Sequence, residues 1–300
     1  MKNTFFLLAL TLATASVHAN PKFRPYFERL RESQVALAGP PVTVKEAAFK
    51  QTLDHGSVSD QRTFTQRYWT SSTYSKGASA PTLLYICGEG KCGSGALMYG
   101  PMGGWAKSVG GNLIAIEHRY YGLSQPFTDL SSEHLQYLTT SQAMSDILKL
   151  KRSLAASGKF TGPWIALGGS YAGNLAAYLR SRFPSEFSMA LASSAPAQAD
   201  RDFAEYDRYV GKLAGPSCAL KIREVVAGIE TRASTTAGFA DLQKRFVEPG
   251  VHHVGDFIYL MSDIASAAIQ LGLKEEFCDQ LGRRGLDGYV DMKLKVDKQF

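Results

Sequence analysis

The hydrophobic pattern of this chain changes texture near Pro196. Before that point, short unbroken apolar runs at Thr82–Ile86, Asn112–Glu117, Trp164–Leu167 and Met189–Ala192 alternate with longer amphipathic stretches. Such runs, bounded by glycine-rich sequence, are what strands covered on both faces of a parallel sheet require. Ala143, Ile147, Leu150 and Leu154 form a helical stripe within 141–157, stopped by Gly158. A second helix is predicted over 174–182, halted before Pro184. Phe49–Gln51 and Thr63–Trp69 flank the polar turn Asp54-His55-Gly56-Ser57 and predict an antiparallel pair at the start of the sheet. After Pro196 the segments 203–213, 219–230, 241–246 and 257–271 read as mostly helical, and Phe257–Met261 also reads as a short strand. The expected architecture is α/β, with a core over 20–199 and a helical cap over 200–300. The cap is expected over the carboxyl ends of the strands, where open α/β sheets bind ligands.

Residues 1–19 read as a signal peptide: Lys2 gives the basic start, Phe5–Ala13 the apolar stretch and Val17-His18-Ala19 the cleavage pattern. The apolar run is far shorter than the ~20 residues of a membrane span, so the expected location is secreted or lysosomal (vacuolar). Export favours disulfides for the four cysteines. Locality pairs Cys87 with Cys92 and Cys218 with Cys278, one of three connectivities that four cysteines allow. No metal-ligand spacing occurs. The net charge of +6 is spread without a dense basic run, so no nucleic-acid footprint is expected.

Chemistry concentrates at Gly168-Gly169-Ser170-Tyr171-Ala172-Gly173, between a predicted strand and a predicted helix. That context is the one a nucleophile elbow needs: a sharp turn lifts a serine hydroxyl above the sheet, and the small neighbours two positions away are Gly168 and Ala172. Ser170 is the candidate nucleophile and the Tyr171 N–H the first oxyanion donor. The second donor is expected from the loop after an earlier strand, at Gly88, Glu89 or Gly90. That loop, Gly88-Glu89-Gly90-Lys91-Cys92-Gly93, also fits the dinucleotide pattern G-x-G-x-x-G, but the residues after Gly93 make a poor helix where the pattern requires one. No cofactor is therefore expected.

Several blocks, in order, resemble one family. They are Gln51-Thr52-Leu53-Asp54-His55, Phe64-Thr65-Gln66-Arg67-Tyr68-Trp69, Gly88-Glu89-Gly90, Glu117-His118-Arg119-Tyr120-Tyr121-Gly122, Gln142-Ala143 with Asp146, Gly168 to Gly173, and Ala192-Ser193-Ser194-Ala195-Pro196. Together they resemble the prolyl-type serine carboxypeptidases (S28), a family that includes lysosomal Pro-Xaa carboxypeptidase, dipeptidyl peptidase II and thymus-specific serine protease. The resemblance implies an α/β-hydrolase sheet, incomplete at the C-terminus of this chain, with a helical cap. It implies serine exopeptidase chemistry near proline, as carboxypeptidase or dipeptidyl peptidase, with peptide substrates and a homodimer. At the position four after the nucleophile, where lysosomal members carry a methionine lining the proline pocket, this chain has Asn174, a more polar pocket wall.

A serine nucleophile needs a base and a carboxylate, in the chain order Ser, Asp, His. After Ser170 only His252 and His253 occur, with Asp241 upstream of them. Asp241 with His252 is one reading; the other, implied by the family, places acid and base beyond the cap. Glu117, His118 and Arg119 precede the nucleophile and read as a buried charge network, while Asp54 and His55 read as turn residues. The expectation is a peptidase completed by residues past Phe300. The alternatives are a non-catalytic peptide-binding pseudo-hydrolase and an esterase or lipase on the same fold.

Overall fold

The computed structural model describes residues 40–297, so the signal peptide expected at 1–19 lies outside the described residues. The chain divides into two compact units, with the boundary between Gln198 and Ala199.

The first unit is built on a six-stranded sheet. Its strands are β1 (Lys45–Thr52), β2 (Thr63–Ser71), β3 (Thr82–Ile86), β4 (Asn112–Ile116), β5 (Trp164–Gly169) and β6 (Met189–Ser193), in the spatial order β1-β2-β4-β3-β5-β6. β1 and β2 form the antiparallel margin, with β2 antiparallel to β4, and the β4-β3-β5-β6 run is parallel. Helices follow the strands: α1 (Gly95–Met98), α2 (Met102–Val109), α3 (Ser132–Leu135), α4 (Thr140–Ala156) and α5 (Ser170–Arg182).

The pleat sends alternate residues to opposite faces. Leu84, Ile86, Ile114, Ile116 and Ala166 pack against Ala143, Ile147 and Leu150 of α4 and Leu175, Ala176 and Leu179 of α5. Leu83, Leu113, Ala115 and Leu167 point the other way, onto Leu97, Met102 and Ala106. Both faces are covered, which is why these strands read as continuous apolar runs. β6 differs: all five of its residues are exposed, and among the described residues it ends the sheet with one side unpaired.

The second unit is helical: α6 (Ala204–Ala214), α7 (Pro216–Ala233), α8 (Thr236–Phe246), α9 (Val254–Gln270), α10 (Lys274–Arg284) and α11 (Leu286–Asp297). Its core centres on Phe246, Phe257, Phe277 and Tyr289, which meet edge to face. The Tyr289 hydroxyl donates to the Met261 carbonyl at 2.6 Å. Residues 257–261, also read as a strand from sequence, are helical. Phe257, Met261, Ile264, Ala265 and Ala268 are buried at helical spacing along α9, so that stripe overrides local β preference. Cys218 of α7 is bonded to Cys278 of α10. No helix among the described residues is long and apolar enough to cross a membrane.

Candidate active site

β5 hands over to α5 without a linker, so Ser170 is the first residue of the helix. Its φ is 54°, a left-handed conformation that costs a non-glycine residue about 1–2 kcal/mol. The strain persists because strand and helix are both locked. A Cβ at Gly168 would lie 2.1 Å from the Ala172 carbonyl oxygen, and one at Gly173 would press on Gly168 and Ala195. Ala172, in the place of the usual second glycine, is buried without obstructing the turn. The helix begins four residues earlier than its apolar periodicity predicts, because its first turn carries only Ser170 to Gly173. Ser170 itself is exposed. No side chain caps this helix end, so the Tyr171 N–H is one of its uncommitted donors.

The loop after β3 is closed by the Cys87–Cys92 disulfide. The Cys87 N–H donates to the Ile116 carbonyl at 3.1 Å and the Gly90 N–H to the Gly88 carbonyl at 2.9 Å. The Gly90 amide is thus spent inside the loop. Among the described residues no acceptor meets the Gly88 or Glu89 amide.

Just past β4, Glu117 and Arg119 are fully buried and His118 nearly so. The Glu117 carboxylate accepts from the Cys92 N–H at 3.0 Å, the Leu123 N–H at 3.2 Å and the Ser124 hydroxyl at 2.7 Å. Gly122, with φ 56°, closes the turn around it; a Cβ there would lie 1.9 Å from Glu117 Oε1. His118 Nδ1 lies 2.7 Å from the Arg119 carbonyl, which can only accept, so Nδ1 carries the proton. Nε2 then accepts from the Tyr171 hydroxyl at 3.3 Å. Burial pushes the His118 pKa down, keeping the ring neutral.

Residues 51–269 match the family Serine carboxypeptidase S28. The chain belongs to this family. Among its relatives, the Probable serine protease EDA2 of Arabidopsis thaliana is 34% identical over 79% of this chain and 50% of its own length. The Thymus-specific serine protease of Homo sapiens is 34% identical over 83% of this chain and 46% of its own. The Lysosomal Pro-X carboxypeptidase of Pongo abelii is 34% identical over 63% and 40%. The chain therefore spans half or less of the length of these relatives. Membership of S28 and the parallel sheet carrying an elbow at Ser170 give an α/β-hydrolase fold.

Other residues singled out from sequence take different places in this S28 chain. Asn174 sits on the second turn of α5, where its Nδ2 donates to the Pro196 carbonyl at 3.1 Å and ties the segment after β6 to the helix. Asp54 accepts from the Gly56 N–H at 2.8 Å, a turn bond as read from sequence. His55 does more than shape a turn, for its Nε2 meets Asp146 at 2.8 Å, 91 residues on. His253 precedes the first residue of α9 in the second unit without a capping side-chain bond, and faces Asp256 at 3.9 Å, both well exposed.

Proposed function

We propose that this chain carries the nucleophile and oxyanion hole of a serine peptidase, acting on peptides near proline through an acyl-enzyme at Ser170. The observation that carries the reading is the left-handed φ of Ser170 at an exposed strand-to-helix turn. Backbone strain at a solvent-facing serine, with unspent amides nearby, is the signature of a built nucleophile rather than of an idle turn.

In this reading Ser170 Oγ bonds to the carbonyl carbon of the substrate while a base takes its proton. The oxyanion that forms is held by the Tyr171 N–H and by the Gly88 or Glu89 N–H. Collapse breaks the C–N bond, the base protonates the departing amine, and water repeats the sequence on the ester. His118 is not that base, since its proton is committed to Arg119 and its free nitrogen to Tyr171. We place the base and its carboxylate on polypeptide that extends the sheet past β6, whose edge is unpaired and apolar.

The name of the Pro-X carboxypeptidase relative supports release of a C-terminal residue next to proline; release of an N-terminal dipeptide is the alternative. Asn174 is then a polar element of the pocket wall. The same relative supports a lysosomal or secreted setting.

A fluorophosphonate probe tests the assignment. The full-length form, completed by its base, should be labelled, and its Ser170→Ala variant should not. Labelling that survives Ser170→Ala sinks it. Peptide binding by the full-length form without any labelling would instead indicate a pseudo-hydrolase, and short acyl esters cleaved much faster than prolyl peptides would indicate an esterase.

A further inference from the structure

We infer that the consecutive residues Glu117 and His118 position the two halves of the oxyanion hole, each through a side-chain hydrogen bond to the segment that bears one donor amide. The inference rests on the proposed roles of the Tyr171 amide and of the Gly88–Glu89 amides.

The two donors come from separate parts of the chain: one from the loop after β3, the other from the first turn of α5 after β5. Their spacing has to match one oxygen atom, and a shift of a few tenths of an ångström weakens a hydrogen bond aimed at it. β4 lies next to β3, and the two residues after it each bond to one of the two segments. Glu117 and His118 follow it directly and point to different partners. Glu117 Oε1 accepts from the Cys92 N–H at 3.0 Å, at the far end of the loop whose near end, Cys87, is bonded to the Ile116 carbonyl. The loop is thus held at both ends from one strand terminus. His118 Nε2 accepts from the Tyr171 hydroxyl at 3.3 Å, and the two rings stand edge to face with centroids 5.5 Å apart. The residue carrying the other amide is held by its own side chain.

Neither contact is incidental. The second oxygen of Glu117 is fixed by Leu123 and Ser124, so the carboxylate cannot swing away from Cys92. His118 has its other nitrogen on the Arg119 carbonyl, which sets the tautomer that lets Nε2 accept. Both residues act through others and are positioning residues. A purely structural role predicts a different outcome for substitution: lower stability, with the reactivity of the folded protein unchanged.

The test uses two variants of the full-length form: Tyr171→Phe, which keeps the ring and backbone amide but deletes the hydroxyl, and Glu117→Gln, whose amide cannot serve the Cys92 and Leu123 N–H groups at once. Amide hydrogen exchange is followed on peptides spanning 88–92 and 170–174, and fluorophosphonate labelling is resolved into its binding constant and its maximal rate. Exchange should quicken at 88–92 in Glu117→Gln and at 170–174 in Tyr171→Phe, each in its own segment. The maximal labelling rate should fall about tenfold or more in each, with the binding constant within about twofold, a smaller loss than outright removal of a donor brings. Unchanged exchange in both segments, or an unchanged maximal rate in a wild-type protein that labels, overturns the inference. A full-length wild-type form that fails to label refutes the proposed function instead, and the exchange measurement still decides whether the two side chains hold these segments.

Discussion

Arg119 grips Asp146 with two parallel hydrogen bonds, Nε to Oδ2 at 2.7 Å and Nη2 to Oδ1 at 2.6 Å, in a place almost closed to solvent. The rest of the guanidinium donates to the Thr52, Leu53 and Tyr137 carbonyls. One ion pair therefore pins the end of β1, the segment after β4 and helix α4 together. Removing one member of a buried pair strands the other without water, at a cost of about 3–5 kcal/mol. Asp146→Ala should lower the unfolding free energy measured in urea by that much, with the denaturant slope unchanged. His55→Ala should cost clearly less, since His55 reaches the same carboxylate from a partly exposed position.

The backbone strain at Ser170 predicts a trade of function for stability. Glycine adopts a left-handed φ freely, and alanine does not. Ser170→Gly should be about 1 kcal/mol more stable than Ser170→Ala, and neither should react with a fluorophosphonate. Equal denaturation midpoints for the two variants would show that the turn is relaxed.

Acid should weaken the first unit through His118. Its folded pKa lies below 6.5, chiefly because burial strips water from the charged ring, so the unfolded chain takes up a proton that the folded one refuses. The associated stability is present above about pH 6.5 and is lost as the pH falls from there toward the folded value. Glu46 and Glu186, whose pKa values are lowered by bonds to Arg67 and Lys151, lose theirs only below about 4.5. Urea midpoints at pH 7, 6 and 5 should decline, and His118→Gln should flatten that decline.

The two disulfides should differ in worth. Cys218 and Cys278 are 60 residues apart, Cys87 and Cys92 only 5. Loop-closure entropy gives about 4 kcal/mol for the long loop and about 2 kcal/mol for the short one. Cys218→Ser should depress thermal unfolding more than Cys87→Ser does.

β3, β4 and β5 were legible because both faces of the sheet are covered there, whereas β6 read as a strand from its apolar composition although its residues are exposed. Helices α1, α2 and α3 escaped notice because four to eight residues carry too little periodicity. α10 escaped because charge dominates its sequence and only Phe277 and Leu281 are buried. At the site, motif and context marked Ser170 and its loop. The partners of the Glu117-His118-Arg119 run were invisible, since Cys92, Tyr171 and Asp146 lie 25, 53 and 27 residues away and no local pattern links them. For the same reason His55 read as a turn residue. The spent amide of Gly90 depends on how a short loop folds, which spacing does not specify.

The bare margin of the sheet has a practical side. Met189-Ala190-Leu191-Ala192-Ser193 carries no charge, no proline and no bulge to discourage a newcomer, and Met189 and Leu191 are the large side chains it leaves in water. Expressed by itself and concentrated, this chain should stick to its own copies along that strip. A single lysine in place of Leu191 should keep it in solution as separate molecules and make every other experiment easier to interpret.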